Sequence, residues 1–238
     1  MYAQFTDAGG REVNEDFIGV SEKNGVECFV LCDGLGGHGR GEEASEFVVK
    51  KILEIFEQDD DFIGHLDIAF EIAQQSLLEE QKRKLAKFEM KTTLTVLVVD
   101  EHQIKWGHIG DSRVYYFKNK KVKSRTLDHS VPQMLCLAKE IKEKEIRNHP
   151  DRNKLLRVMG IEWGTKSYEI SKAIERKGKQ AFLLCSDGFW ELIEEKEMSH
   201  LLKKSEKADE WLNKMTDIVK ENGTGKNMDN FSAIAVIV

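Results

Sequence analysis

The chain has 238 residues, of which 40% are hydrophobic and 33% charged, and 36 basic against 42 acidic side chains give a formal net charge of −6. This length allows one large domain or two small ones with a sizeable core, and so high an apolar content argues against disorder. The acidic balance argues against a generally basic surface. No nucleic-acid partner is therefore expected, and an anionic substrate must be bound at a local site.

Cysteine content and the N-terminal sequence bear on the compartment. The cysteines are Cys28, Cys32, Cys136 and Cys185. They are too few and too dispersed for a disulfide framework, and three of them lie in apolar runs, which is typical of reduced core cysteines. Residues 1–7 lack the basic and apolar regions of a signal peptide, and no apolar run reaches the roughly 18 residues that a membrane span needs. We expect a cytoplasmic monomer without membrane contact.

The apolar pattern predicts alternating blocks of strands and helices. In chain order these are strands at about 16–20 and 26–32, helices at 41–57 and about 62–88, strands at 93–99, 103–109, 113–117 and 181–185, a helical block at about 195–221 and a strand at 231–238. The connection at 100–102 is too short for a parallel crossover, so the central strands are expected to form an antiparallel meander. This order indicates an α+β fold with helices covering the sheet faces.

No repeat or linker divides the chain, so residues 1–238 are predicted to form a single domain. The segment from about 128 to 165 is unusual, because it contains both prolines and a charge-dense stretch at 139–154. Two interpretations fit this composition: a solvated helix and loop, or a mobile flap beside a site.

Three aspartates lie at the ends of predicted strands. Asp33 ends one apolar run, Asp187 closely follows another, and Asp229 comes shortly before the last. A single Asp-Gly pair after a strand is usually only a turn, but strands of one sheet can bring several ends together at one edge. A divalent cation would stabilise such a cluster, because neighbouring carboxylates raise one another's pKa.

The expected ligands of this cation are all oxygen atoms, without clustered histidine or cysteine. This favours Mg²⁺ or Mn²⁺ over Zn²⁺ or copper. Two ions that share a carboxylate can lower the pKa of a bridging water enough to make it a nucleophile at neutral pH. The residues therefore indicate hydrolysis of a phosphate ester or a similar anionic group.

Two further motifs add candidate site residues, and each of these residues also has a purely structural interpretation. Arg11 lies in the acidic segment 11–16, where it either forms a surface ion pair or grips a phosphate with its planar guanidinium. Asp111, in Gly110 to Arg113, lies either in a simple hairpin connection or in a turn that supplies a fourth carboxylate.

Taken together and in order, these motifs resemble those of the metal-dependent protein phosphatases of type 2C, the PPM family, and in particular its bacterial stand-alone serine/threonine phosphatases. The matching motifs are Arg11 to Asp16, Asp33 to His38 with Gly41 to Ser45, Thr92-Thr93, Gly110 to Arg113, Asp128 to Ser130, Ser186 to Gly188 and Asp229-Asn230. His149 to Asn153 and Leu156 to Gly160 resemble flap motifs of the bacterial branch. The resemblance spans residues 11–238.

The resemblance implies a four-layer α-β-β-α sandwich of two antiparallel β-sheets flanked by helices, with a flap subdomain at about 128–165. It also implies a set of metal ligands for two Mg²⁺ or Mn²⁺ ions. Asp33 would bridge both ions, and Asp187 and Asp229 would complete one of them. The backbone carbonyl of Gly34 would bind the other, and Asp111 with Asp187 would match a weaker third site.

Other residues would support these ligands. Glu15, Asp16 and Asn230 would lie behind the ligands, where the two carboxylates would orient bound water. The hydroxyl groups of Thr92 and Thr93 either support the site or belong to ordinary core packing.

One position departs from part of the family. Some members have a histidine two residues after the bridging aspartate, proposed as the general acid for the leaving group, whereas this chain has Leu35. His38 follows five residues after Asp33, as in bacterial members, and either takes part in the chemistry or stabilises its loop. A metal-bound water is the alternative proton donor.

The implied activity is hydrolysis of phosphoserine and phosphothreonine in proteins by direct attack of a metal-bridging water, with Arg11 holding the substrate phosphate. The partners would be phosphoproteins, the substrates of a cognate serine/threonine kinase. Two alternatives are a phosphatase of a small phosphorylated molecule and a catalytically silent module that binds phosphoproteins.

Overall fold

The computed structural model describes residues 1–35 and 39–238. Its strands are β1 (Tyr2–Asp7), β2 (Asp16–Lys23), β3 (Val26–Asp33), β4 (Leu94–Val99), β5 (Gln103–Ile109), β6 (Arg113–Lys118), β7 (Lys121–Arg125), β8 (Glu169–Ile170), β9 (Ile174–Glu175), β10 (Gln180–Cys185) and β11 (Phe231–Ile237). Its helices are α1 (Gly41–Gln58), α2 (Leu66–Arg83), α3 (Val131–Leu137), α4 (Glu143–Ile146), α5 (Asp187–Trp190), α6 (Glu195–Lys203) and α7 (Ala208–Gly223).

The strands form two antiparallel sheets. One has the order β1-β11-β10-β6-β7, and the other has the order β2-β3-β4-β5-β8, with β9 also paired to β5. The sheets face each other across an apolar layer that includes Phe29 of β3 and Phe182 of β10, both fully buried. Burial of large side chains from both inner faces is what holds two sheets together.

Helices cover the outer face of each sheet. Helices α1 and α2 pack on the sheet that contains β3, where Ile52 and Phe70 are fully buried. Helices α5 to α7 pack on the other sheet, where Trp211 and Met215 are fully buried. This arrangement confirms the predicted α+β class and the four-layer α-β-β-α sandwich.

The expected central meander is wrong in one respect. β4 pairs with β5 and β6 pairs with β7, but β5 and β6 belong to different sheets. The turn at 110–112 is therefore a crossing between sheets and not a hairpin connection. Gly110 has a φ of +102°, a backbone conformation that favours glycine. The direction of this turn is a tertiary property that short connection length does not reveal.

Two other elements differ from the pattern. The helical block at 195–221 is split between α6 and α7, although neither glycine nor proline marks the break at 204–207. The Ser205 hydroxyl donates to the Leu201 carbonyl at 3.0 Å, which supplies one of the carbonyls at the α6 end with a partner. The apolar pattern does not predict β1, an edge strand in which only Ala3 and Phe5 are partly buried against the core of its own sheet, while Tyr2 contacts Phe29 edge-on.

None of the helices in the described part of the chain is both long and apolar enough to cross a membrane.

Candidate metal centre and active site

The candidate aspartates meet where the two sheets end side by side. Asp33 is the last residue of β3, in one sheet. Asp187 is the first residue of α5, directly beyond β10, and Asp229 lies just before β11, both strands of the other sheet. Asp111 lies in the turn that crosses between sheets. The expectation that strands of one sheet collect these carboxylates is therefore wrong: both sheets contribute.

A cavity of about 1040 Å³ opens at this junction. We call it the aspartate cavity. Its acidic lining residues are Glu15, Asp33, Asp111, Asp187 and Asp229. Arg11, Gly34 and Asn230 also line it, so nearly all of the predicted ligands and supporting residues share one space. Of the charge-dense stretch 139–154, only Asn153 and Lys154 reach this lining.

The electrostatics of the aspartate cavity are unfavourable for the protein alone. Burial and the charges of Asp16, Asp187, Asp111 and Asp229 raise the pKa of Asp33 well above its usual range. Burial, followed by the charge of Asp111, raises the pKa of Asp187 in the same way. Burial also raises the pKa of Asp111 to about 7. Each carboxylate would therefore ionise far more readily with a cation beside it.

Asp16 lies next to this group and is itself buried, with 5% of its surface exposed. Ser186 donates a hydrogen bond to Oδ2 of Asp16 at 2.7 Å, whereas Oδ1 has no hydrogen-bond partner among the described residues. Burial raises the pKa of Asp16 to about 7 despite the hydrogen bond from Ser186. An orphaned carboxylate oxygen beside four more carboxylates fits hard divalent cations and their bound water.

Gly34 is enclosed by backbone. Its N–H donates to the Glu15 carbonyl at 3.0 Å, and a Cβ atom there would lie 2.3 Å from the Gly41 carbonyl oxygen. Only glycine fits in this space. The backbone after Asp33 is thereby fixed against both the 15–16 segment and the start of α1, as a carbonyl ligand requires.

Thr92 and Thr93 are fully buried and bond to the backbone of Asp33. The Thr92 hydroxyl donates to the Asp33 carbonyl at 2.9 Å, and the Asp33 N–H donates to the Thr93 hydroxyl at 2.9 Å. The Thr93 hydroxyl also lies 2.7 Å from that of Ser112, in the crossing turn. These contacts favour support of the site over core packing alone.

Arg11 forms an ion pair, which is one of the two roles that the sequence allows. Its partner is Asp229, a candidate metal ligand. Its Nε and Nη2 atoms donate to the two carboxylate oxygens of Asp229 at 3.1 and 3.0 Å. Nearly half of the Arg11 side chain is exposed, and it lines the aspartate cavity. The structure thus places a guanidinium at the mouth of the acidic group.

Asn230 ties the N-terminal loop to this centre. Its Oδ1 accepts from the Glu15 N–H, and its Nδ2 donates to the carbonyls of Ala8 and Val13, each at 2.9 Å. A buried amide with three backbone partners fixes the position of the loop that contains Arg11.

A buried chain of residues that the sequence did not reveal holds Asp111 in place. The Trp190 indole N–H donates to the Asp111 carbonyl at 3.0 Å. The Arg113 guanidinium lies over the Trp190 ring, 3.4 Å from its centroid, and is paired with Asp128 through two hydrogen bonds of 2.8 and 2.7 Å. Arg113 and Asp128 occur in recognised motifs, but their partnership spans 15 residues and only the fold discloses it.

A second group of potential metal ligands consists of His108, His129 and Glu169, whose ligand atoms lie within 4.8 Å of one another. The Gly110 N–H donates to His129 Nδ1, so the neutral ring has its proton on Nε2, which is 3.6 Å from Glu169. Burial lowers the pKa of His129 to about 3, which keeps the ring neutral. Metal-bound histidines instead donate from the nitrogen opposite the metal. Although Nε2 has no hydrogen-bond partner among the described residues, a ring whose Nδ1 accepts from the Gly110 N–H fits a backbone contact better than a metal ligand.

The remaining candidate, His38, lies outside the described residues. Leu35, which stands where some members of the resembled family have a histidine, lines the aspartate cavity.

Comparison with known proteins decides the family. The family model described as protein phosphatase 2C matches residues 8–231. The chain belongs to the protein phosphatase 2C family. This confirms the resemblance seen in the motifs. It also confirms the enzyme class, that of the protein serine/threonine phosphatases.

Three similar proteins, all bacterial, illustrate how this protein phosphatase 2C chain compares with its relatives. The serine/threonine phosphatase stp of Listeria monocytogenes is 32% identical over 229 residues, which cover 90% of this chain and 89% of that protein. The crystal structure of the serine/threonine phosphatase Stp1 from Staphylococcus aureus is 27% identical, with a TM-score of 0.89 over 100% of this chain and 94% of that one. The crystal structure of the Mycobacterium tuberculosis serine/threonine phosphatase PstP/Ppp is 26% identical, with a TM-score of 0.84 over 99% and 97% of the two chains.

Proposed function

We propose that the chain removes phosphate from phosphoserine and phosphothreonine side chains of proteins in the aspartate cavity, with Mg²⁺ or Mn²⁺ as its cofactor. The observation that carries this proposal is the convergence of Asp33, Asp111, Asp187 and Asp229 on one cavity. Buried like charges of this kind, with raised pKa values, are typical of a site for divalent cations. A solved relative's catalytic domain, PstP, is described in complex with two manganese ions.

The ligands divide between two principal cation positions. Asp33 would be shared by both, Asp187 and Asp229 would hold one, and the Gly34 carbonyl would hold the other. Asp111 with Asp187 forms a weaker third position. Bound cations would acidify the attacking water and neutralise the oxygens of the phosphate.

Residues of the chain itself do the remaining work. Arg11 binds the phosphate of the substrate, since a half-exposed guanidinium at the cavity mouth can donate two parallel hydrogen bonds to phosphate oxygens. Glu15 and Asp16 would orient water bound beside the ligands, and Asn230 fixes the loop that presents Arg11. Thr92 and Thr93 hold the backbone of Asp33 in place.

Phosphate leaves without a covalent phosphoenzyme. Cys28, Cys32 and Cys185 are fully buried, and burial raises the pKa of each thiol above its usual value, so none is an activated nucleophile. These three thiols are thus excluded as nucleophiles, and we propose water as the attacking group, as the family resemblance implies. The proton donor for the leaving oxygen is either His38 or a water molecule.

The test is Mn²⁺-dependent hydrolysis of para-nitrophenyl phosphate and of a phosphoserine peptide. Activity should disappear in excess chelator and in Asp33→Asn, whereas Asp217→Asn, at an exposed position of α7, should keep it. Full activity in chelator would overturn the metal mechanism. A much higher kcat/KM for small phosphorylated metabolites than for phosphoproteins would favour a small-molecule phosphatase. Phosphopeptide binding without turnover would indicate a silent module.

We also propose a single domain, residues 1–238, with a flap subdomain at about 128–165 beside the aspartate cavity. We propose a cytoplasmic location, because three thiols are buried in apolar strands, which suits a reducing compartment. We also propose that the protein is a monomer and that it opposes a cognate serine/threonine kinase.

A further inference from the structure

The aspartate cavity is much larger than a phosphate group, and part of its wall is apolar. Val131, Leu155 and Leu156 line the same cavity as the four aspartates. Leu156 has 48% of its surface exposed. Exposed leucines are common singly, but an apolar wall that continues directly from an acidic centre indicates a ligand with both a charged and an apolar part.

This apolar wall is built on paired backbone. The Val131 N–H donates to the Lys154 carbonyl at 2.9 Å, and the Leu156 N–H donates to the His129 carbonyl at 2.7 Å. Ser130 and Leu155 form an antiparallel bridge between these two bonds. The backbone that carries these side chains is thus held in place before any ligand arrives, which reduces the entropy lost on binding.

The wall extends along the outer face of α3. Val131 begins this helix, and Met134, three residues later on the same face, has 53% of its surface exposed. Leu135 follows on that face and is half-buried. An apolar strip therefore runs from the cavity, through Val131 and Leu156, along the first turn of α3.

We propose that this strip, defined by Val131, Met134, Leu135, Leu155 and Leu156, is a subsite for an apolar side chain flanking the phosphorylated residue of the protein substrate. The proposal rests on the function proposed above. The occupant is the substrate itself, because the strip and the aspartates line one cavity. A substrate peptide whose phosphate lies at the aspartates must pass the rim of that cavity. The enzyme therefore prefers phosphoproteins with a large apolar residue near the phosphoserine or phosphothreonine.

The test uses phosphoserine peptides in pairs that differ at one position, which is either leucine or serine. Four positions are compared in this way: the two before the phosphoserine and the two after it. At one of these positions the wild-type enzyme should prefer leucine about five- to twentyfold in kcat/KM, as expected for burial of one apolar side chain. In Leu156→Ser and in the near-isosteric Val131→Thr, this ratio should fall below about threefold. The ratio is measured within each variant, so a partial loss of folded enzyme cancels.

Ile68→Ser is the matched control, because Ile68 lies on α2 and is 49% exposed, as much as Leu156. It should keep the wild-type ratio. No leucine preference in the wild type, or an undiminished preference in both strip variants, would overturn the subsite. The subsite would also be overturned if the protein formed a concentration-dependent dimer that Leu156→Ser abolishes. That result would show that the strip binds a second copy of the chain. A wild-type enzyme inactive on para-nitrophenyl phosphate as well would instead contradict the proposed function.

Discussion

His129 and Gly110 are joined by two hydrogen bonds in opposite directions. The His129 N–H donates to the Gly110 carbonyl at 2.9 Å, and the Gly110 N–H donates to Nδ1 of the His129 ring at 3.2 Å. Gly110 directly precedes Asp111, in the turn where the chain passes from one sheet to the other. A histidine at the start of the 128–165 segment thus fixes the backbone from which a candidate metal ligand projects.

We predict that His129→Ala and His129→Asn differ in effect. Alanine leaves the buried Gly110 N–H without an acceptor, which costs about 1–3 kcal/mol, so the Mn²⁺ concentration for half-maximal activity should rise and Tm should fall. The Oδ1 atom of asparagine can accept in place of Nδ1, so His129→Asn should recover most of both losses. Equal effects of the two variants on the Mn²⁺ titration would show that the ring acts only by packing.

Arg11→Ala should weaken substrate binding and ease metal binding at once. Loss of a charge-assisted contact to phosphate should raise KM for a phosphopeptide by about tenfold. Arg11 shares both oxygens of Asp229 with any cation bound there, so its removal should lower the required Mn²⁺ by up to about threefold, the scale of an exposed ion pair. An unchanged KM would place the phosphate elsewhere. A higher Mn²⁺ requirement would mean that Arg11 organises Asp229.

The stability of the metal-free protein should depend on pH in a defined direction. Burial raises the pKa of Asp16 and of Asp111 from 3.8 to about 7. Between about pH 4 and pH 7 the folded chain therefore binds more protons than the unfolded chain, and the free energy of unfolding falls as the pH rises through that window. In excess chelator, Tm should drop by at least about 4 °C from pH 5 to pH 8. Saturating Mn²⁺ should reduce this drop.

Asp16→Asn should also make the drop smaller, because one of the shifted carboxyls is removed. Asp217→Asn, on the exposed face of α7, should leave it as in the wild type. If the drop in chelator is the same in Asp16→Asn as in the wild type, its origin lies in other groups.

Asp128→Asn should destabilise the fold far more than loss of a surface ion pair. Arg113 and Asp128 have only 3% and 1% of their side chains exposed, and removal of one partner from a buried pair leaves an uncompensated charge at a cost of about 3–5 kcal/mol. Lys50→Ala breaks the exposed pair with Glu46 on α1 and should cost no more than about 0.5 kcal/mol. Urea unfolding in excess chelator measures both. Similar losses would show that Arg113 finds another partner.

The sequence predicts most of the ligands because their signal is local. An aspartate beside a glycine, after a run of apolar residues, can be read along the chain, and this located Asp33 and Asp187 at strand ends. Which sheet each strand joins is not a local property, because strand pairing depends on contacts far apart along the chain. The expected single sheet edge was therefore wrong, even though the carboxylates do converge.

The supporting contacts were beyond sequence reasoning for the same reason. Trp190 lies three residues after Asp187, but its partner, the Asp111 carbonyl, is 79 residues away. His129 was recognised only as part of a motif, since its bonds to Gly110 require the turn between sheets. The pattern of apolar residues identifies which side chains are buried. It does not identify which buried polar groups bond to each other, because that depends on the topology.

Because the proposed ligands are divided between two sheets, metal binding would act as a cross-link. A cation held by the proposed ligands Asp33, from one sheet, and Asp187, from the other, would bind only when both halves of the sandwich are docked, so its binding free energy would add to the cohesion of the interface between them. The coupling is reciprocal. Loosening the apolar layer around Phe29 and Phe182, remote in sequence from every ligand, would lower metal affinity, and metal depletion would loosen that layer in turn.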